Sequence, residues 1–378
     1  MVDAPKPTFA HYDRGCVANI VPAIFGLFDQ TWLPEPFEGA RAVVLLVLDG
    51  LGANVIAQRP ELVPNLAAMA SARTEHGEIT TVVPATTSAA LTSITTGTAP
   101  ARHGIVGYRT FVEDRVLNVL RWQPEGVDRG PRIEPLAVQR QPAFRGRGVP
   151  VVTKSDFKNS GFTKAHLGDG PWLGWKTQAV LVEHVRAAVV VDRAPFVYAY
   201  YPGVDEVAHE CGLHNPYYEA EVRNADALVG RVLDALPGDT ALLVTADHGQ
   251  THIEADAWID VHDLAPLISL QSGDARFRHL HARSGAAKEL ATECARRFCD
   301  VAWVRPRKEL LGEGWLGPAG AGNSPAGARI GDVVLMPFAP VGFVDPALPY
   351  ERGLRSAHGA PTADEMFVPL RAARGRAL

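Results

Sequence analysis

The chain has 378 residues, 47% of them hydrophobic, and a formal net charge of −5. That length holds one large domain with an insertion, or two domains, with ample apolar material for a core. Arg and Lys are scattered rather than blocked, so bulk nucleic acid is not an expected partner. No apolar run approaches the roughly 20 residues that cross a bilayer, so no membrane span is expected. The cysteines Cys16, Cys211, Cys294 and Cys299 form no C-x-x-C pair, which argues against a thiolate zinc site or a redox dithiol. The first ten residues lack a charged start followed by an apolar core, and a cytoplasmic location is expected.

Val43–Leu48 is a continuous apolar run, the pattern of a strand buried on both faces, and it leads into Asp49–Gly50. Pro64–Ser71 reads as a short helix with proline in its first turn. Ile79–Val83 reads as a strand, and a helix should begin near Thr86 and Thr87 and close at Gly97. Residues 110–175, rich in Gly, Pro and Arg, read as an irregular insertion. Glu183–Val191 should be helical, and Phe196–Tyr201 a core strand running towards Asp205 and His209. The longest helix should have Asn215 as its N-cap and Pro216 at its first position. Tyr218, Val222, Ala225, Val229, Val232 and Leu236 then recur at three- and four-residue spacing, and Pro237–Gly238 stops the helix. Ala241–Thr245 follows as a strand, placed by a crossover next to the strand that ends at Tyr201.

Residues 260–350 mix strand-like Phe277–Ala282, Val301–Val304 and Val333–Pro337 with helical Ala286–Phe298. The basic tail from Arg371 is expected to fray. Alternating strands and helices predict an α/β fold, with a mostly parallel central sheet covered by helices on both faces. Ligand-type residues flank 260–350, which is therefore read as a small inserted α+β cap. Residues 1–259 together with 351–378 form the expected core.

In open α/β sheets, ligands bind beyond the carboxyl ends of the strands. Asp49, Asp205, Asp247 and His248 stand at or just after such ends, and His209 follows Asp205 by one helical turn. A late Ala357–His358–Gly359 adds a third histidine. Three Asp and three His are the ligand count of a two-metal hydrolase, and this set without thiolate suits zinc, or manganese. Two such ions about 3.5–4 Å apart clamp the attacking and leaving oxygens of an in-line phosphoryl displacement. The candidate nucleophile lies in Pro84–Ala85–Thr86–Thr87–Ser88, at a helix N-terminus that favours phosphate. Placement alone does not separate Thr86, Thr87 and Ser88. His103 and His214 read as turn residues, and His252, His262, His279 and His281 as surface or cap residues.

The ordered set Asp49–Gly50, P-A-T-T-S at 84–88 with T-G and H-G-I after it, D-x-x-x-H at 205–209, T-A-D-H-G at 245–249 and A-H-G at 357–359 resembles the alkaline phosphatase superfamily. It is most similar to the type I phosphodiesterase/nucleotide pyrophosphatase branch. The resemblance implies two zinc ions, one on Asp205, His209 and His358, the other on Asp49, Asp247 and His248. It also implies that Thr87 is the nucleophile and contacts the second metal. An asparagine that holds a phosphate oxygen in that family is matched here by Tyr108, whose hydroxyl offers the same bond from a bulkier side chain. The sulfatase motif C/S-x-P-x-R is absent at the nucleophile. The implied activity is cleavage of phosphodiester or phosphoanhydride bonds in a small phosphoester, nucleotides included. A phosphomonoesterase or a phosphonate C–P hydrolase is the alternative, and no oligomeric state is implied.

Overall fold

The apolar run after residue 41 forms β1 (Ala42–Leu48), all seven residues of which are buried. The computed structural model describes residues 4–126, 133–318 and 324–377, so parts of the expected insertion and cap, 127–132 and 319–323, lie outside the described residues. The central sheet continues with β2 (Val151–Lys154), β3 (Trp172–Trp175), β4 (Phe196–Tyr201) and β5 (Thr240–Thr245). Its order β5–β1–β4–β2–β3 is parallel throughout. Parallel strands need crossovers, and helices supply them.

The helix α1 (Thr87–Thr96) is buried along its whole length and ends at Gly97, whose φ of 66° is the left-handed cap conformation. Three of its hydroxyls are satisfied within the helix, Thr92, Thr95 and Thr96 donating to the carbonyls of Ser88, Leu91 and Thr92. α2 (Gly203–Cys211) follows β4 directly. α3 (Pro216–Ala235) starts where expected, with Asn215 Oδ1 accepting from the N–H groups of Tyr217 and Tyr218.

The stretch 260–350, expected as a cap, carries β6 (Ile268–Asp274), β7 (Phe277–Ala282), α4 (Ala287–Phe298), β8 (Ala302–Pro306) and β9 (Val333–Pro337). The four strands form an antiparallel sheet in the order β6–β7–β9–β8. Leu290, Cys294 and Phe298 of α4 pack with Leu280, Val333 and Leu335 of this sheet. Trp258–Asp260 pairs in parallel with Gly342–Val344 at the base of the insertion.

Four expectations are corrected. The tail does not fray: β10 (Phe367–Arg374) runs antiparallel to β5, because Val368, Leu370 and Ala372 alternate into the core behind the basic residues. β5 does not neighbour β4, since β1 lies between them. The stretch 110–175 is not wholly irregular: it holds β2 and β3, four residues each and too short to stand out from their Gly and Pro surroundings. The helix expected over Pro64–Ser71 ends at Ala68, and Ala70–Ser71 pairs with β10.

Candidate active site

β1, β4 and β5 end side by side, Val47 pairing with Tyr200 on one flank and Thr245 on the other. The residues just beyond them therefore converge: Asp49 after β1, Asp205 in the first turn of α2, and Asp247 and His248 after β5. Gly50 makes the turn at φ 73°, and a Cβ there would lie 2.4 Å from Gln250 Nε2. His358 reaches the same place from the loop before β10.

Two groups result, Asp49–Asp247–His248 and Asp205–His209–His358, each offering three ligand atoms within 4.8 Å of one another. His248 Nε2 lies 3.3 Å from Asp49 Oδ1 and 3.5 Å from Asp247 Oδ2. Asp205 Oδ1 lies 3.4 Å from His209 Nε2 and 3.8 Å from His358 Nε2. Each of the first two carboxylates is held by one oxygen. The Tyr200 hydroxyl donates to Asp49 Oδ2, and the N–H groups of Gly50 and His248 donate to Asp247 Oδ1, both at 3.1 Å. Their other oxygens, Asp49 Oδ1 and Asp247 Oδ2, are buried without a hydrogen-bond partner among the described residues.

The imidazoles are oriented by the backbone. Nδ1 of His248, His209 and His358 meets the carbonyls of Gly249, Ser356 and Ala85 at 3.0, 2.9 and 3.0 Å. A carbonyl only accepts, so Nδ1 carries the hydrogen and each Nε2 presents a lone pair. Lone pairs thus face carboxylate oxygens, an arrangement that fits a cation bound between them. The electrostatics agree. Burial first, then Asp247 and Asp205, pushes the Asp49 carboxyl well above its ordinary range. Burial pushes Asp205 and Asp247 upward and His248 and His358 downward. A pocket that disfavours bare carboxylates this strongly is one that a divalent ion stabilises.

Of the three hydroxyls at the start of α1, that of Thr87 faces this centre, with Oγ1 3.1 Å from His248 Nε2. Thr86 and Ser88 do not cap the helix. Thr86 Oγ1 donates to Asp274 Oδ1 at 2.8 Å, and Ser88 Oγ is buried without a partner among the described residues. A cavity of about 250 Å³ is lined by Thr87, Tyr108, Asp205, His209, Tyr350 and His358. A second, of about 210 Å³, is lined by Asp49, Thr87, Phe157, Phe162, Tyr198 and Tyr200. Thr87 borders both.

Sequence reasoning missed Tyr200 and Asp274. Tyr200 gives no local signal inside an apolar strand. Asp274 does, since it follows a glycine at a strand end, the mirror of Asp49–Gly50. It is buried, accepts the Tyr108 N–H as well as the Thr86 hydroxyl, and is pushed up to about 6 by burial. His103 is structural, as expected, with its ring bonded to Ser93 Oγ and the Ile105 N–H. His214 makes a turn at φ 60°. His279 and His281 are buried in the cap sheet beside Ser272.

A family model described as type I phosphodiesterase / nucleotide pyrophosphatase matches residues 43–339. The chain belongs to this family of phosphoester hydrolases. Metal dependence is a property of the family, and Asp49, Asp205, His209, Asp247 and His248 all lie within the matched residues, whereas His358 lies beyond them. Murine ectonucleotide pyrophosphatase / phosphodiesterase 5 has a similar fold, with a TM-score of 0.67 at 15% identity over 87% of each chain. An inactive threonine-to-alanine form of that protein, in complex with AMP, aligns with a TM-score of 0.66 at 15% identity and the same coverage. Phosphonoacetate hydrolase from Sinorhizobium meliloti 1021, in complex with phosphonoformate, aligns with a TM-score of 0.57 at 19% identity over 90% of this chain and 91% of that one. Comparison with curated protein sequences returned no match. Among the described residues, no helix is long and apolar enough to cross a membrane.

Proposed function

We propose that the protein is a two-zinc phosphodiesterase or nucleotide pyrophosphatase in which Thr87 is the nucleophile. The observation that carries this reading is the position of Thr87 Oγ1 at the N-terminus of α1, 3.1 Å from His248 Nε2 and bordering both cavities. Asp205, His209 and His358 would hold one ion, and Asp49, Asp247, His248 and Thr87 the other. Nitrogen and carboxylate donors without thiolate favour zinc, with manganese as the alternative. When bound, the two ions supply positive charge beside the attacking and leaving oxygens.

Thr87 attacks phosphorus and the bond to the leaving alcohol or phosphate breaks on the side of Asp205, His209 and His358. Water then breaks the Thr87 Oγ1–phosphorus bond, freeing the phosphate monoester and restoring the threonine hydroxyl. The free amides at the start of α1 hold the non-bridging oxygens, and the Tyr108 hydroxyl, in the same cavity, adds a donor. The inactive threonine-to-alanine form of the murine neighbour supports a threonine in this role, and its AMP supports a small phosphoester substrate of nucleotide type. The same reading divides the chain into a catalytic core, 1–259 with 351–378, and a cap, 260–350, that shapes the substrate cavity.

Hydrolysis of bis(p-nitrophenyl) phosphate by zinc-loaded protein tests the proposal. Thr87→Ala should lower kcat by about 10³-fold or more while keeping its zinc. Undiminished turnover in that variant rejects the mechanism. The likeness to phosphonoacetate hydrolase favours one second reading, phosphonate C–P hydrolysis at the same centre. A higher kcat/KM for phosphonoacetate than for the diester would select it.

A further inference from the structure

Tyr108 is fixed at three points. Its N–H donates to both oxygens of Asp274, at 3.2 and 3.1 Å. Its carbonyl accepts from the Val119 N–H at 2.8 Å. Its hydroxyl accepts from Asn118 Nδ2 at 2.5 Å, because the hairpin Arg109–Val112/Arg115–Asn118 folds Asn118 back beside it. Asn118 is buried and cannot be reversed without loss: its Oδ1 accepts the Arg121 N–H at 3.0 Å, so the amide NH₂ must face the phenol. A phenol oxygen that accepts this hydrogen keeps its own proton for another partner.

A partner stands nearby. The Tyr350 hydroxyl lies 3.4 Å from that of Tyr108, and both residues line the cavity that contains Thr87, His209 and His358. Tyr350 is 50% exposed, yet the short turn that carries it, Pro349–Gly353, is anchored. The neighbouring Glu351 accepts from buried Arg278 Nη2 at 2.7 Å on both oxygens, and from the Asp345 N–H at 2.9 Å. The two phenols therefore meet at their tips from two separately braced elements, with Leu120 and Leu354 beside them in the cavity wall. An O···O separation of 3.4 Å is long for a hydroxyl pair and makes a weak bond. A substrate parts the hydroxyls easily but still has to pass the Tyr350 ring.

We propose that Tyr108 and Tyr350 form a specificity bar at the rim of this cavity, and that Asn118 is the positioning residue that turns the Tyr108 proton into it. The group selected is a narrow substituent on the phosphoryl centre that offers an oxygen to the two phenols. This inference rests on the phosphodiesterase reading and deepens it.

Two diesters of different bulk, methyl p-nitrophenyl phosphate and bis(p-nitrophenyl) phosphate, test it. Tyr350→Ala should raise the kcat/KM of the bulky diester relative to the slim one about 10-fold. Tyr350→Phe, which keeps the ring, should leave that ratio within about 2-fold. Asn118→Ala should raise KM about 5-fold with little change in kcat, the loss of one oriented hydrogen bond. Asn118→Asp, which draws the Tyr108 proton towards itself, should do the same. A ratio unmoved by Tyr350→Ala, or Asn118 variants that change kcat and not KM, overturns the proposal. Absence of any turnover by the parent protein rejects the phosphodiesterase reading instead. The bar is then judged by calorimetric binding of bis(p-nitrophenyl) phosphate to zinc-loaded Thr87→Ala, with and without Tyr350→Ala. Tighter binding in the double variant supports it, and equal or absent binding overturns it.

Discussion

The imidazoles of His248 and His358 stack with ring centroids 3.6 Å apart and planes 16° apart, although one follows β5 and the other lies beyond the cap. The two acid–histidine groups thus share a wall, and a change in one should be felt in the other. If the proposed two-zinc centre holds, His358→Ala should lower zinc content from two per chain to one or fewer, and weaken the remaining ion by about 10-fold. Zinc counted by mass spectrometry after dialysis checks this. Two ions retained in the variant would remove His358 from the metal centre.

Tyr200 acts at one remove. Its hydroxyl donates to Asp49 Oδ2 and leaves Oδ1 facing the centre. Tyr200→Phe keeps the ring in the core but frees the carboxylate to rotate. Zinc affinity in a competition titration should fall by about 10-fold or more, with the fold unchanged by circular dichroism. Unchanged affinity would show that Asp49 is held well enough without it.

The turn between β6 and β7 is locked to the segment before β10 by Arg276 and Glu365, an ion pair at 2.8 Å with both side chains fully buried. Glu365 also accepts from the Ala360 N–H at 2.9 Å and the Thr362 hydroxyl at 2.5 Å, in the loop that follows His358. Removing one partner leaves the other charge buried alone. Arg276→Met should therefore cost about 3–5 kcal/mol of stability, read by urea unfolding. A loss of under roughly 1 kcal/mol, the value of an exposed pair, sinks this account.

Acid should destabilise the fold through His103, which burial pushes down to about 3 from an ordinary 6.5. Above pH 6.5 neither the folded nor the unfolded chain protonates it, and its contribution is complete. Below pH 6.5 the unfolded chain takes up a proton that the folded one refuses, so stability falls by about 1.4 kcal/mol per pH unit towards pH 3. His103→Gln should reduce that slope by about 1.4 kcal/mol per pH unit between pH 6.5 and 4.5 in denaturant titrations, the remainder coming from other buried groups such as His166. Parallel slopes in parent and variant would discard the role.

The acid and histidine residues of the candidate site were legible because each breaks a strong local pattern. An apolar strand that stops at Asp49–Gly50 or Asp247–His248 is chemically conspicuous, and Asp205 and His209 share a helical turn. The separation of Thr87 from Thr86 and Ser88 was not legible from placement, because it depends on which hydroxyl points at His248 and which at Asp274, far away in sequence. β10 was hidden by composition: Arg371 and Arg374 mask the alternation of Val368, Leu370 and Ala372. β2 and β3 are simply too short for their periodicity to register. The strands and the helix expected within 260–350 were read well, since α4 and its strands carry their own apolar cluster.

The position of β10 also sets a timetable for synthesis. It closes the open edge of β5, with Thr245 opposite Leu370, right where the chain turns into Asp247 and His248. A ribosome must translate through residue 374 before that edge is covered, and until then a buried-type strand waits with unpaired backbone groups. Chains cut short before residue 365 lack His358's loop anchor at Glu365 and this strand together. Such fragments should accumulate as aggregates rather than as partly active enzyme.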